Sequence, residues 1–279
     1  MTTQSFKNTF SNFSLSGNAA IGLIRVSLQD KLVYRFDLVV GLVRTFILIF
    51  IFRYLWIALY GARQIYAGVT LDQTITYAAI SLILSPLFPN SLIIDVGRRI
   101  RNGNILFDIT RPVYFGNLLL FQMCGQFIGT LLTSALPMLV LTALVVKLVL
   151  PNSLLVWLAF LVSLVMGFIT AFLIDYIASL AGFWLTQTGG IFFAKWSVVD
   201  ILGGKYLPLW IFPGVLQQIA LVLPFRGINY TPLAILVGEI IPSRIPVELG
   251  MQLVWLIILA AVGRLIFSAA TKKLAVQGG

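Results

Sequence analysis

The chain has 279 residues, of which 59% are hydrophobic and 10% are charged, and its mean hydropathy is +1.01. Soluble domains carry about 25% charged residues, so this composition excludes a soluble fold and indicates an integral membrane protein. Apolar runs of about 20 residues favour helices over a β-barrel. The net charge of +10 is explained by membrane topology and contact with anionic lipid headgroups, and we expect no nucleic-acid partner.

The predicted fold class is all-α integral membrane, with a tail and interfacial helix over residues 1–35 and one six-helix domain over residues 36–279. The helix over Ala19–Arg35 is moderately amphipathic and is expected to lie along the inner membrane surface. Six spans are then predicted, over about 36–60, 73–94, 113–146, 154–174, 177–202 and 249–269. Trp56 and Tyr60 suit the outer headgroup belt, and Pro86 and Pro89 should kink the second span.

The boundary between the fourth and fifth spans is the least distinct, because the fifth span is unusually polar. A tight cytoplasmic turn is predicted near Asp175, with a turn near Thr186–Gly190 as the alternative. Residues 203–247 do not form a plain span, since six prolines divide them into apolar pieces too short to cross. We therefore predict a re-entrant outer hairpin there, before the last helix.

The distribution of basic residues predicts the orientation. The N-terminal segment, the loop after the second span and the C-terminal tail carry ten Lys and Arg residues, against five in the opposite loops. Because Lys and Arg resist translocation, both termini and that loop are expected in the cytoplasm. The chain is therefore predicted to be a multi-pass protein of a plasma (inner) membrane.

The loop over residues 95–112 has four arginines and a short apolar segment. Asn104 is predicted to cap a helix over Ile105–Thr110 by accepting backbone N–H bonds. That helix displays apolar side chains on a cytoplasmic loop, where a partner or the bilayer surface must cover them. The residues alone leave two interpretations open, a topology signal that touches headgroups and a docking element for a soluble partner.

Catalytic groups are scarce in this sequence. It contains no histidine and one cysteine, so Ser–His and Cys–His pairs and ordinary zinc, haem or iron–sulfur sites are not expected. The segment Gly203-Gly204-Lys205 is followed by Tyr206 and lacks the spacing of an ATP-binding P-loop. The chain is therefore not expected to be an enzyme. Candidates for lining a substrate path are Arg44, Trp184, Gln187, Lys195 and Asp200.

Four short motifs carry a family resemblance through their order and spacing. They are Gly103-Asn104-Ile105 with Ile109-Thr110-Arg111-Pro112, Gly203 to Leu209 with Phe212-Pro213, Leu223-Pro224-Phe225 with Pro232, and Val276 to Gly279. With them the chain resembles, over essentially its whole length, the membrane subunit of an ABC type-2 exporter of the six-span antibiotic- or polymer-export-like branch.

This resemblance implies a function and a set of site residues. The loop after the second span would form a coupling helix that docks on a separate ATPase through Arg98, Arg99, Arg101, Asn102, Gly103, Asn104, Ile105, Leu106, Phe107 and Asp108. The hairpin would cap the translocation path, with Pro208, Phe212, Pro213, Pro224 and Phe225 at its gate.

The resemblance also implies partners. Two ATPase subunits would bind ATP and Mg, with no cofactor bound by this chain, and a second permease subunit, related or identical, would complete the path through the membrane lipids. The substrate would be amphipathic, drug-like, lipid-linked or polymeric.

Two other classes of function remain as alternatives. An ion- or proton-coupled secondary transporter would need titratable groups along its path, for which only Asp175 and Asp200 are suitable. A non-transporting membrane scaffold or assembly factor would show no substrate-dependent ATP hydrolysis in its complex.

Overall fold

The computed structural model describes residues 35–61, 63, 65–89, 91–110, 114–185 and 187–277. Four sets of predicted features lie outside these residues. They are the N-terminal tail and interfacial helix up to residue 34, Arg111 and Pro112 of the basic loop, Thr186 of the alternative turn, and the final Gly278-Gly279.

The described chain is helical almost throughout. Its helices are α1 (Arg35–Tyr60), α2 (Leu71–Leu84), α3 (Leu92–Arg101), α4 (Ile105–Ile109), α5 (Phe115–Thr130), α6 (Leu136–Val145), α7 (Leu154–Leu180), α8 (Gly189–Leu202), α9 (Gly214–Val222), α10 (Tyr230–Val237) and α11 (Ile245–Gln277). Strands β1 (Ile65–Tyr66) and β2 (Val69–Thr70) pair antiparallel between α1 and α2. We call the end of the bundle that carries these strands the hairpin end.

Among the described residues, five helical segments are long and apolar enough to cross a membrane. They are Phe36–Tyr60, Leu71–Arg101, Phe115–Val145, Leu154–Phe183 and Pro242–Lys272. The predicted fifth span is not among them, because α8 has 14 residues and extends about 21 Å, short of the roughly 30 Å hydrocarbon core. An all-α membrane architecture is confirmed, and the count of six spans stays a prediction.

Prolines shape the second and third segments in different ways. Pro86 and Pro89 interrupt the second segment: α2 ends at Leu84, a 3-10 turn follows, and α3 begins at Leu92. The expected kink is therefore a break, since two prolines remove two backbone donors. Pro137 leaves the third segment continuous, because a π-helical turn over Leu131–Ala135 widens the helix just before it.

Helix α7 continues through Asp175, so the turn predicted there is wrong. It ends at Leu180, a 3-10 turn covers Ala181–Phe183, and α8 begins at Gly189, near the alternative position. The physical reason is that Asp175 is only 2% exposed and forms an ion pair with Lys195. Its charge is compensated by a helical neighbour and does not mark a membrane surface.

Trp56 and Tyr60 are buried in the protein core, and their place in the headgroup belt stays a prediction. Their exposed fractions are 1% and 4%, within a large apolar cluster at the hairpin end. The Tyr60 hydroxyl shares a hydrogen bond of 2.7 Å with the Thr74 hydroxyl on α2. The Tyr60 ring thus holds α1 against α2, since a buried Tyr hydroxyl needs a polar partner.

Helices α7 and α11 run parallel to each other. Ser163 donates to Gln252 near their starts, and Gly263 packs on Tyr176 further along. Residues 181–244 must therefore bring the chain back to the hairpin end. They do so through α8, α9 and α10, and all eight residues of α10 are buried between α2 and α7. The helices within residues 203–247 are all short, and the re-entrant character of this hairpin stays a prediction.

Candidate functional site

Helices α3 and α4 form an elbow opposite the hairpin end. The turn Asn102–Asn104 joins them, and Gly103 has a φ of +73°, a left-handed backbone that glycine adopts at no steric cost. The predicted short helix is confirmed over Ile105–Ile109. The predicted Asn104 cap is wrong, because its backbone is already helical and its side chain makes no capping bond. An N-cap side chain needs an extended backbone to reach the first amides.

The elbow is held from inside by an apolar contact and an ion pair. Ile105 is 1% exposed and packs in the cluster that α3, α5 and α7 form at this end. The Arg99 Nη1 atom lies 3.0 Å from the Asp108 Oδ2 atom, and Asp108 is buried. Because one partner lies on α3 and the other on α4, the pair fixes the angle between the helices.

The predicted docking residues divide into two groups. Ile105, Arg99 and Asp108 point inward and build the elbow. The exposed members are Arg98, Arg101, Asn102, Gly103, Asn104, Leu106 and Phe107. Phe107 is 71% exposed and Leu106 is 54% exposed, so the tip of the elbow presents an apolar pair with arginines beside it.

The elbow packs directly on the turn that begins α8. A Cβ atom at Gly97 of α3 would lie 3.0 Å from the Thr188 Cγ2 atom, and one at Gly182 would lie 2.9 Å from the Ile100 Cδ1 atom. Such close approach leaves little free space between α3, the end of α7 and the start of α8. A displacement of the elbow would meet α8 directly, because packed interiors resist compression.

A small polar cavity of about 50 Å³ lies between α7 and α8, at the α2–α3 break. Two ion pairs stand in its wall. The Lys195 Nζ atom lies 2.6 Å from Asp175 Oδ1, and the Lys205 Nζ atom lies 2.7 Å from Asp200 Oδ2. These four side chains are 2–13% exposed, so each charge is desolvated and neutralised by its partner.

The loop that carries Lys205 is fixed to α2. The Tyr77 hydroxyl donates to the Gly204 carbonyl at 2.6 Å, and the Ser81 hydroxyl donates to the Lys205 carbonyl at 2.8 Å. Gly204 has a φ of +74°, which turns the chain sharply at the end of α8. The Gly203-Gly204-Lys205 segment thus forms the turn that ends α8, and it places the Lys205 ammonium group in the cavity wall.

Two of the predicted path residues, Lys195 and Asp200, are brought together in the cavity. Arg44, Trp184 and Gln187 are exposed and lie outside its lining. In the sequence, Asp175 was a candidate path residue only for the ion-coupled alternative, and Lys205 and Asn229 were missed. For Asp175 and Lys205, charges inside apolar segments were the available signal, whereas the sequence showed no sign of their pairing across elements.

The predicted gate residues mostly pack inside the hairpin end. Phe212 is 6% exposed, Pro208 and Pro224 are buried, Phe225 is half-buried, and Pro213 is exposed. Their role as a gate stays a prediction. Among the described residues, no group of three or more His, Cys, Asp or Glu side chains could hold a metal ion.

These features define a polytopic helical membrane protein with an exposed apolar elbow at one end and a polar cavity inside. The family model described as "ABC-2 family transporter protein" matches residues 9–278, so the chain belongs to the ABC-2 transporter family. The resemblance to an ABC type-2 permease is confirmed, and the exporter branch stays a prediction. The protein is the permease component of an ABC transporter, and an ABC ATPase is its partner. No curated protein and no solved structure matches the chain.

Proposed function

We propose that the protein is the permease half of an ATP-driven exporter. In this proposal it lies in a plasma (inner) membrane with both termini and the elbow in the cytoplasm. Two ATPase subunits supply the energy, a second permease, related or identical, completes the path, and an amphipathic, drug-like, lipid-linked or polymeric substrate moves outward. The observation that carries the proposal is the exposed Leu106–Phe107 pair on a rigid elbow of an ABC-2 family chain.

The chemistry of the elbow suits docking into a protein groove. An exposed Phe and Leu bury apolar area on contact, each at about 25 cal/mol per Å². Arg98 and Arg101 beside them supply charge that steers an acidic partner surface and fixes its register. The inward Ile105 and the Arg99–Asp108 pair keep α4 in place when force is applied to its outer face.

The route from the elbow into the membrane domain supports coupling. Motion of α3 pushes on Thr188 and therefore on α8, whose charged residues line the polar cavity. The break at Pro86–Pro89 lets α3 move without bending α2, because no continuous backbone hydrogen-bond ladder joins them. ATP-driven closure of the ATPase pair would thus change the cavity wall.

The first prediction tests the elbow by co-purification from the native host. Leu106→Asp and Phe107→Asp place a charge on the docking face without filling or emptying the core, so the protein should fold and lose its ATPase. We expect mass spectrometry to find a P-loop ATPase with the wild type and at least tenfold less with the double variant.

Ile65→Asp is the matched control, because Ile65 is 60% exposed on β1 at the hairpin end. It should retain the ATPase. Equal recovery of the ATPase with the elbow variant and with wild type would refute docking through α4. Absence of any ATPase from wild type would instead favour the scaffold or the ion-coupled transporter.

A further inference from the structure

A second cavity, which we call the break cavity, lies between the α2–α3 break, α5 and α7. Its volume is about 130 Å³, close to that of an engineered cavity of about 150 Å³ that binds benzene. Helix α2 has 14 residues and extends about 21 Å from the hairpin end, so the break cavity lies at the depth of the hydrocarbon core, which is roughly 30 Å thick. Irregular backbone is tolerated at that depth only against protein or beside a water-filled space.

The wall of the break cavity is polar but carries no charge. Among the described residues, none that lines it is ionisable, and its polar side chains are Ser91, Gln126 and Thr130. The Ser91 hydroxyl donates to Asp95 at 2.9 Å. The Gln126 amide and the Thr130 hydroxyl form no hydrogen bond with another described residue, and their polar atoms are accessible from the cavity. A charged ligand would lose its hydration here without a counter-ion, so the wall selects a neutral one.

Helix α5 directs the Gln126 amide into this space. Met123, Gln126 and Thr130 all line the cavity, and their spacing places them on one face of the helix. A side-chain amide carries an N–H donor and a C=O acceptor next to each other. A ligand with its own N–H and C=O on one edge therefore forms two hydrogen bonds with Gln126 at once.

The aromatic part of the wall suits a flat ligand. Phe88 and Phe168 line the break cavity, and aromatic rings offer flat apolar faces to a planar group. A small lactam is neutral, nearly planar and about the size of benzene, which the volume admits. A sugar ring with its hydroxyls is larger and is not flat.

We infer that the break cavity binds, through Gln126, a neutral amide whose N–H and C=O lie on one edge, as in a lactam or a primary carboxamide. This inference names a chemical group of the substrate of the proposed exporter and in that respect rests on the proposed function. The binding itself needs neither ATP nor an ATPase, and it is therefore testable on the chain alone.

The methyl group of Met123 gives a local measurement of binding. Met123 lines the cavity, so its methyl NMR signal in lipid nanodiscs, assigned with Met123→Leu, should shift when the cavity fills. The probes are pyrrolidone, N-methylpyrrolidone, cyclopentanone, N-methylacetamide and the pyrrolidinium ion. N-methylpyrrolidone and cyclopentanone have no N–H, and pyrrolidinium is charged. N-methylacetamide holds its N–H and C=O on opposite edges, because its amide is trans.

We expect pyrrolidone to half-saturate the Met123 shift at a concentration at least threefold below those of the other four probes. Gln126→Leu should raise that concentration by about three- to tenfold, as for loss of one net hydrogen bond, and should remove the advantage over N-methylpyrrolidone. Gln122→Leu, a partly exposed amide on α5 outside the cavity lining, should change none of these values. Propionamide distinguishes the two sources of the group, since tighter binding than pyrrolidone identifies a primary carboxamide and weaker binding a lactam.

Equal binding of pyrrolidone and N-methylpyrrolidone to the wild type would overturn the inference, because Gln126 would then not receive the N–H. Tighter binding of pyrrolidinium, an unchanged pyrrolidone value in Gln126→Leu, or no shift with any probe would also overturn it. If Gln126→Leu fails to fold by gel filtration, Gln126→Ala replaces it with the same expected direction. Amide binding without ATPase capture would refute the proposed function alone, and the reverse result would refute this inference alone.

Discussion

At the scale of single residues, the buried charges of this protein are paired with charges of opposite sign. Asp175 and Lys195 lie 2.6 Å apart with 2% and 10% of their side chains exposed. Their attraction offsets the cost of taking both from water, but only while both are present. By contrast, Lys147 and Asp72 lie 4.0 Å apart and are 87% and 52% exposed, so solvent screens them.

The second prediction follows from this difference. Asp175→Leu leaves Lys195 charged and unpaired in the interior and should lower the free energy of unfolding by about 3–5 kcal/mol. The double variant Asp175→Leu with Lys195→Met should recover most of that loss, because it removes both charges. Thermal unfolding of the purified protein in detergent measures both.

Lys147→Gln is the matched control and should change stability by less than about 0.5 kcal/mol. A double variant as unstable as Asp175→Leu would show that the carboxylate acts through a partner other than Lys195. An unaffected single variant would show that the pair adds nothing to the fold.

At the scale of elements, the apolar runs and the prolines predict most of the helices. The sequence predicts few of the contacts between those helices. The first and third segments agree closely with the structure, because their length and hydropathy depend on composition alone. The turn at Asp175 and the Asn104 cap were wrong for one shared reason. Each polar residue was interpreted from its local chain, whereas Asp175 is satisfied by a neighbour on α8 and Asn104 continues a turn begun at Gly103.

The cavity between α7 and α8 was even harder to predict from the local sequence than these turns and caps. Its wall comes from α7, α8, the α2–α3 break and the loop before α10, which are separated by up to about 140 residues of sequence. Lys195 and Asp200 were recognisable as costly charges. Nothing in the sequence pointed to Asn229, because asparagine is common at the start of a helix. Only its burial in the structure distinguishes it.

One contact between elements depends on the absence of a side chain. Gly167 of α7 faces the turn that precedes α10, and a Cβ atom there would lie 2.6 Å from the Gly227 carbonyl oxygen and 2.9 Å from that of Ile228. Both obstacles are backbone atoms. The turn is itself tied down, since the Gln252 amide donates to the Gly227 carbonyl at 2.8 Å.

The third prediction concerns this contact. Gly167→Ala should destabilise the protein by about 1–3 kcal/mol, because the turn must move to admit the methyl group. The loss should appear in thermal unfolding and as faster hydrogen exchange in α10. Gly250→Ala on α11, where a Cβ atom has nothing within 4 Å, should be neutral or slightly stabilising. Equal behaviour of the two variants would show that α7 and the turn do not pack this closely.

At the scale of the whole molecule, the relative direction of α7 and α11 determines how the chain must run between them. Helices α7 and α11 are parallel, so the segment between them returns from the elbow end to the hairpin end through pieces that are individually too short to cross. Among the described residues, five helices are long and apolar enough to span, since the return contains no single long apolar helix. The buried α10 supplies part of the return within protein, where irregular backbone is tolerated at membrane depth.

The last prediction tests this return by cysteine labelling in a Cys124→Ala background. Phe107→Cys on the elbow and Gln187→Cys before α8 should react with a membrane-impermeant maleimide in inside-out vesicles. Tyr66→Cys on β1 and Ser243→Cys before α11 should react in spheroplasts, because residues 181–244 reverse the direction of α7.

All four positions are exposed in the structure, so labelling reports the side of the membrane and not burial. Val165→Cys, an exposed residue in the middle of α7, should face lipid and react from neither side. Labelling of Gln187→Cys and Ser243→Cys from the same side would mean that the chain does not return between them, and six crossings would be refuted.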